Sequence, residues 1–223
     1  MDIEFDLPDQ HPDRPKFRRD RPFVDSRYDL IFCGGAVVKG HKREEYRSNC
    51  ERQRLILAQL VFALNRLKTG GSFVLLLHRI ESWETASMLY MISMFADIRV
   101  MKHPKHHGDT SSFYLVAQNV DVEGRSAIEA LSYWKSLWKY FSFRDFREMN
   151  PPSTALLDQD IDAASSKLID EFGDHFLKMA LPVWQTQAKN LCDAPDAIYD
   201  AVPKDDQIFK IELLEIAPTP ILA

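Results

Sequence analysis

The chain has 223 residues, 45% hydrophobic and 27% charged, with a formal net charge of −5. These figures fit a globular protein large enough for a core of its own and exclude a general basic coat for nucleic acid. Its three cysteines, Cys33, Cys50 and Cys192, are far apart and odd in number, which excludes a disulfide framework and a CxxC zinc pair and points to the reducing cytoplasm or nucleus.

Residues 1–27 read as a leader. The stretch "DLPDQHPDRPKFRRDRPF" carries four prolines and many charges, too little apolar surface to fold alone. A short strand at Ile3 to Leu7 is the one element it suggests. Its acidic start lacks the order of a secretory signal. The strongest apolar run of the chain, "FVLLL" at Phe73 to Leu77, is strand-sized, so no membrane partner is expected.

From Tyr28 the pattern becomes regular. "YDLIFC" predicts a buried strand ending at Gly34-Gly35. "REEYRSNCERQRLILAQLVFALNRLKTGG" predicts a helix with Leu57, Leu60, Leu64 and Leu67 on one face and Arg47, Arg52, Arg54 and Arg66 mostly on the others. Gly70-Gly71 is read as its stop. "SFVLLLH" is a second strand. "ESWETASMLYMISMFA" is a second helix, capped by Glu81 or Ser82. "DIRVMK" and "SFYLVAQNV" are two more strands, joined only by a loop and therefore antiparallel. The alternation implies an α/β fold: a partial doubly wound sheet of about four strands, the last one antiparallel.

After Asp121 the alternation ends. "EGRSAIEALSYWKSLWKYFSFRDF" predicts an amphipathic helix with Ile128, Leu131, Trp134, Leu137 and Trp138 on its apolar side. Asp160 to Lys178 and Leu181 to Leu191 read as two further helices, with Pro182 near the start of the second. The chain thus divides into a leader, 1–27, an α/β segment, 28–120, and a mainly helical C-terminal extension, 121–223.

Several groups stand out chemically. Gly34-Gly35 makes either a tight turn or room for a ligand. Lys39, His41, Lys42, Arg43 and Arg47 follow that strand end as candidate phosphate contacts for an RNA partner, against the commoner reading of a solvated helix start diluted by Glu44 and Glu45. His103, His106, His107 and Asp109 share a polar loop without the spacing of a metal site, so no metal is expected. His78 is a titratable group at a strand end, the best acid-base candidate left in the segment. Trp134 and Trp138, one helical turn apart, pack a core more readily than they stack bases.

The stretches "YDLIFCGGAV", "RLILAQLVFALNRLKTGGSFVLLLH" and "SSFYLVAQNV", in this order and spacing, resemble the C-terminal half of the FtsJ-like RNA methyltransferase domain, in particular its diverged fungal-type members. The resemblance implies a Rossmann-like methyltransferase sheet that binds S-adenosylmethionine at the carboxyl ends of its strands and methylates a ribose 2′-hydroxyl. It implies two lysines, an aspartate and a glutamate as the catalytic set. On this chain the aspartate position falls on Gly34, the strand lysine on Leu76 and the glutamate on Ser112, while the first lysine precedes the resembling stretch. None of the three can do that chemistry: glycine has no side chain, leucine no proton and serine no negative charge. Residues 1–27 hold no glycine for a cofactor turn. The segment then reads as half of a methyltransferase domain, either a fragment or a degenerate derivative, whose first strand is an exposed edge. It is expected not to bind S-adenosylmethionine unaided, with Gly34 and Gly35 as the remnant of the cofactor end. Two functions stay open: a methyltransferase-family protein inactive by itself, or a scaffold that holds a protein or RNA partner on its half-sheet edge and C-terminal helices.

Overall fold

The computed structural model describes residues 2–37, 44–146, 148–154 and 160–193. Four strands, β1 (Tyr28–Cys33), β2 (Leu67–His78), β3 (Asp97–Met101) and β4 (Ser112–Val120), form one sheet in the order β1-β2-β4-β3. β1 and β2 are parallel, and β4 runs antiparallel to both of its neighbours. The long helix α1 (Glu51–Arg66) makes the crossover between the parallel strands, as such a pair requires. Helices α2 (Trp83–Ser93), α3 (Arg125–Phe143) and α4 (Ile161–Cys192) complete the α/β fold with its C-terminal helices.

The helices cover one face of the sheet. Phe73, Leu75 and Leu77 of β2 and Phe113, Leu115 and Ala117 of β4 alternate into that face and are fully buried, as the two-residue period of a strand demands. Leu57, Leu60 and Leu64 of α1 and Leu89 and Ile92 of α2 close over them. Ser82 caps α2, its hydroxyl accepting the Thr85 N–H. The opposite face carries Leu30 and Phe32 of β1, Val74 and Leu76 of β2, and Met101 of β3. Phe32 there is 73% exposed. β1, expected to be buried, is therefore mostly open, because among the described residues it has a neighbour on one edge only and helices on one face only.

Four further expectations are corrected. Gly70-Gly71 does not end α1; the helix stops at Arg66, and both glycines lie within β2. Gly70 has φ of +79° beside a register shift between Gly71 and Phe73, so it serves a bulge rather than a cap. The two C-terminal helices are one helix of 32 residues with Pro182 inside it. Ile128 is 55% exposed, and the buried stripe of α3 is Ala127, Ala130, Trp134 and Trp138. Arg54 and Arg66, assigned to outer faces of α1, are buried. Arg54 donates to Ser142 Oγ and Glu51, and Arg66 pairs with Asp2.

The N-terminal segment covers those arginines. It forms no strand at Ile3 to Leu7, but Ile3 joins the core, and Phe5 and Phe17 pack on Trp138. His11 and Asp13 are buried in the same layer. Among the described residues no helix is long and apolar enough to cross a membrane.

Candidate functional site

The carboxyl ends of the parallel strands carry the sequence-predicted positions. β1 ends at Cys33, paired with Leu75, so Gly34 follows beside the end of β2. Leu76 pairs with Tyr114, and His78 pairs with Ser112. Leu76, His78 and Ser112 therefore lie on one face, the face opposite the helices, and the topology gathers Gly34, Leu76 and Ser112 at one end of the sheet.

Gly35 is held by α1. Its N–H donates to Gln59 Oε1 at 2.7 Å, and Gln59 Nε2 donates back to the Gly35 carbonyl at 3.1 Å. A Cβ on Gly35 would stand 2.9 Å from Gln59 Oε1, whereas one on Gly34 would meet nothing within 4 Å. The tight position is thus Gly35, for a contact inside the protein. Cys33 beside it is buried, and burial pushes its thiol up to about 12, which leaves it inert as a nucleophile.

His78 is half-buried. Desolvation, then the cations of Arg52 and Lys102, lower its pKa below 6.5 and keep the imidazole neutral at pH 7. Lys102, which the sequence reading did not single out, donates to the carbonyls of His107, Thr110 and Ser112 at 3.1, 2.6 and 2.8 Å. All three of its protons are thereby spent on closing the loop before β4. Ser112 Oγ sits 2.7 Å from Thr110 Oγ1. This strand end offers a neutral imidazole, a hydroxyl and a tied ammonium. It places no carboxylate at any of the three carried-over positions.

The other candidates are dispersed. Lys39, His41, Lys42 and Arg43 lie outside the described residues. Arg47 is committed to Asp13 at 3.2 Å and Glu51 at 3.6 Å. His103 Nδ1 accepts the backbone N–H groups of Lys105 and His106, which folds the polar loop on itself. Among the described residues no three His, Cys, Asp or Glu side chains gather to hold a metal. Trp134 and Trp138 are both buried, Trp138 under the Arg54 guanidinium at 5.9 Å.

The description "FtsJ-like methyltransferase" belongs to the family model that matches residues 5–120. The chain belongs to the FtsJ-like methyltransferase family. No curated protein matches it. The family match ends at Val120, the last residue of β4, and begins well before Tyr28, taking in most of the N-terminal segment.

FtsJ-like methyltransferases use S-adenosylmethionine in general. Gly34 has no side chain, and both polar backbone groups of Gly35 are taken by Gln59. β1 is an edge strand, so a crevice between it and a further strand is not formed by the described residues. The described residues before β1 form only a three-residue 3-10 turn, Arg14–Lys16, with no strand-to-helix turn to receive the nucleoside.

Proposed function

We propose that this chain, taken by itself, is a non-catalytic member of the FtsJ-like family that works as a binding module in the cytoplasm or nucleus. One observation carries the reading: Gly34, Leu76 and Ser112 come together at the carboxyl end of the sheet, where the resemblance calls for an aspartate, a lysine and a glutamate, and none of them carries a charged side chain. His78 at that strand end is held below its ordinary pKa by desolvation and then by the Arg52 and Lys102 cations, which makes it a weaker base than a free imidazole. The Gln59 clamp on Gly35 supports the same reading for the cofactor. The unpaired Cys33, Cys50 and Cys192 support a reducing compartment.

The open sheet face and the free edge of β1 favour a protein partner over RNA. Leu30, Phe32 and Met101 make that face apolar, while Arg47 is already neutralised by Asp13.

Calorimetric titration of the purified chain tests the reading. S-adenosylmethionine is expected to bind no more tightly than adenosine. Saturable binding of S-adenosylmethionine at least tenfold tighter than adenosine would overturn it, since only a true cofactor site recognises the methionine end.

A further inference from the structure

The N-terminal segment leaves its own backbone unpaired. Ile3, Phe5 and Leu7 pack into the core while Glu4 and Asp6 stand exposed, the two-residue alternation of an extended chain. Among the described residues, however, no backbone N–H or carbonyl of residues 3–7 pairs with another backbone group. Two grooves, of about 480 and 360 Å³, run along this stretch and meet at Ile3, Glu4, Arg21 and Lys139, which line both.

The walls of the joined groove are basic. Arg19, Arg21, Arg27, Lys135 and Lys139 line it, and they outnumber the Glu4 and Asp6 carboxylates once Asp2 is counted with Arg66, its buried partner at 2.9 Å. Arg21 holds Glu4 at 3.3 Å, whereas Lys135 and Lys139 are half-buried and have no ion-pair partner among the described residues. This excess of positive charge runs against a chain of net charge −5. Lys135 and Lys139 are one turn apart on α3, so their stems leave one helix face about 6 Å from each other. Alternate side chains of an extended polypeptide repeat every ~7 Å, close to that spacing.

We propose that this groove takes an extended acidic segment of a protein partner, which pairs with the main chain of residues 3–7 and sets carboxylates against Lys135 and Lys139. Unpaired backbone beside a groove is what strand addition uses, main-chain bonds giving affinity and alternate side chains giving selectivity. Those main-chain groups favour a polypeptide over a nucleic-acid strand, whose continuous charge the acidic chain would also repel outside the groove. The α3 wall lies beyond residues 5–120, so the family match does not account for it. The site uses no residue of the β1 end or of the open sheet face, and so stands apart from the methyl-donor question.

The probe is the acetylated and amidated hexapeptide Glu-Thr-Glu-Thr-Glu-Thr, titrated into the full chain by calorimetry, with hexauridylate as the competing polyanion. The peptide is expected to bind saturably and to slow amide exchange within residues 3–7. Lys135→Gln with Lys139→Gln should weaken it about fivefold or more, the scale of two exposed charge pairs. Lys167→Gln with Lys178→Gln, which removes the same charge from α4, should leave binding unchanged. Full N-methylation of the peptide backbone should weaken it roughly tenfold by deleting the main-chain donors. Absence of peptide binding at millimolar concentration would overturn the proposal, as would binding that the Lys135 and Lys139 substitutions do not weaken. Tighter binding of hexauridylate than of the peptide would overturn it in favour of a nucleic acid. Undiminished binding of the N-methylated peptide would overturn the main-chain pairing.

Discussion

The side-chain amide of Gln59 grips Gly35 by both of its backbone polar groups, joining the middle of α1 to the end of β1 through contacts of 2.7 and 3.1 Å. Among the described residues β1 is an edge strand with one covered face, and this clamp ties its carboxyl end to α1. Replacing Gln59 with leucine removes both bonds but leaves the Gly35 groups open to water. The expected loss is about 1–2 kcal/mol, two ordinary net hydrogen bonds. Urea unfolding measures it, and amide exchange at Gly35 should accelerate in the variant. An unchanged exchange rate would show that the clamp does not hold in solution.

Much of this sheet end was legible in sequence. β4 was readable to the residue because "SFYLVAQNV" is a dense run of branched and aromatic side chains between polar flanks. The antiparallel pairing of β3 and β4 followed from the shortness of the loop between them. The start of β2 was not readable, because Gly70-Gly71 has the composition of a helix stop while serving a bulge. Pro182 misled for a related reason. Proline removes one helical hydrogen bond, but Val183 and Ala180 are buried on either side of it, and packing of that stretch outweighs the lost bond.

Arg66 ties the N-terminal segment to α1. Its guanidinium donates to Asp2 at 2.9 Å, to the Pro22 carbonyl at 3.2 and 3.3 Å and to the Asn65 carbonyl at 3.2 Å, all in a buried setting. Asp2→Ala leaves that cation without its anion. The expected cost is about 3 kcal/mol, the scale for breaking one side of a buried pair. Chemical denaturation reads it directly, and limited proteolysis should begin cutting between Asp2 and Pro22 in the variant. A cost below about 1 kcal/mol, the scale of an exposed pair, would mean that the segment is not docked.

His11 makes stability depend on pH. Its Nδ1 accepts the Asp13 N–H at 3.1 Å and its Nε2 lies 3.2 Å from the Ser142 carbonyl, an arrangement that requires the neutral ring. Desolvation lowers its pKa first; the Ser142 carbonyl and Asp13 push it up, and Arg54 and Arg47 push it down. The folded value therefore lies below the unfolded one, and the unfolded chain takes up the proton first as the solution is acidified. The stability from this group is complete above about pH 6.5 and falls as pH drops toward the folded value, by at most about 1.4 kcal/mol per pH unit. Asp13 acts in the same direction at lower pH. Burial pushes its carboxyl up, but hydrogen bonds from Lys16 and Tyr46 and the Arg47 charge outweigh that and hold it below 3.8. His11→Phe keeps a ring among Phe17, Tyr46, Phe143 and Phe146 while removing the titration. Denaturation curves at pH 7.5 and 5.5 should show a smaller drop for the variant than for the natural chain. Equal drops would assign the effect to other groups, His78 among them.

The uncovered sheet face should behave as an adhesive surface. Parallel strands are ordinarily covered on both faces, yet Leu30 and Phe32 of β1 and Met101 of β3 stand exposed toward opposite edges of this face, with Val74, Leu76, Tyr114 and Val116 half-buried between them and exposed Arg99 across from Phe32 on β3. An apolar patch of this kind attracts dyes and other chains. The natural chain is expected to bind a hydrophobic dye such as ANS and to self-associate with rising concentration. Leu30→Ser with Phe32→Ser should lower dye fluorescence roughly twofold or more by shrinking that patch. The same pair should change stability by no more than about 1 kcal/mol, since each site is on the surface. Light scattering should then show a smaller particle at high concentration. If dye binding persists undiminished in the double variant, the open face is not the adhesive surface, and the protein partner assigned to it loses its physical basis.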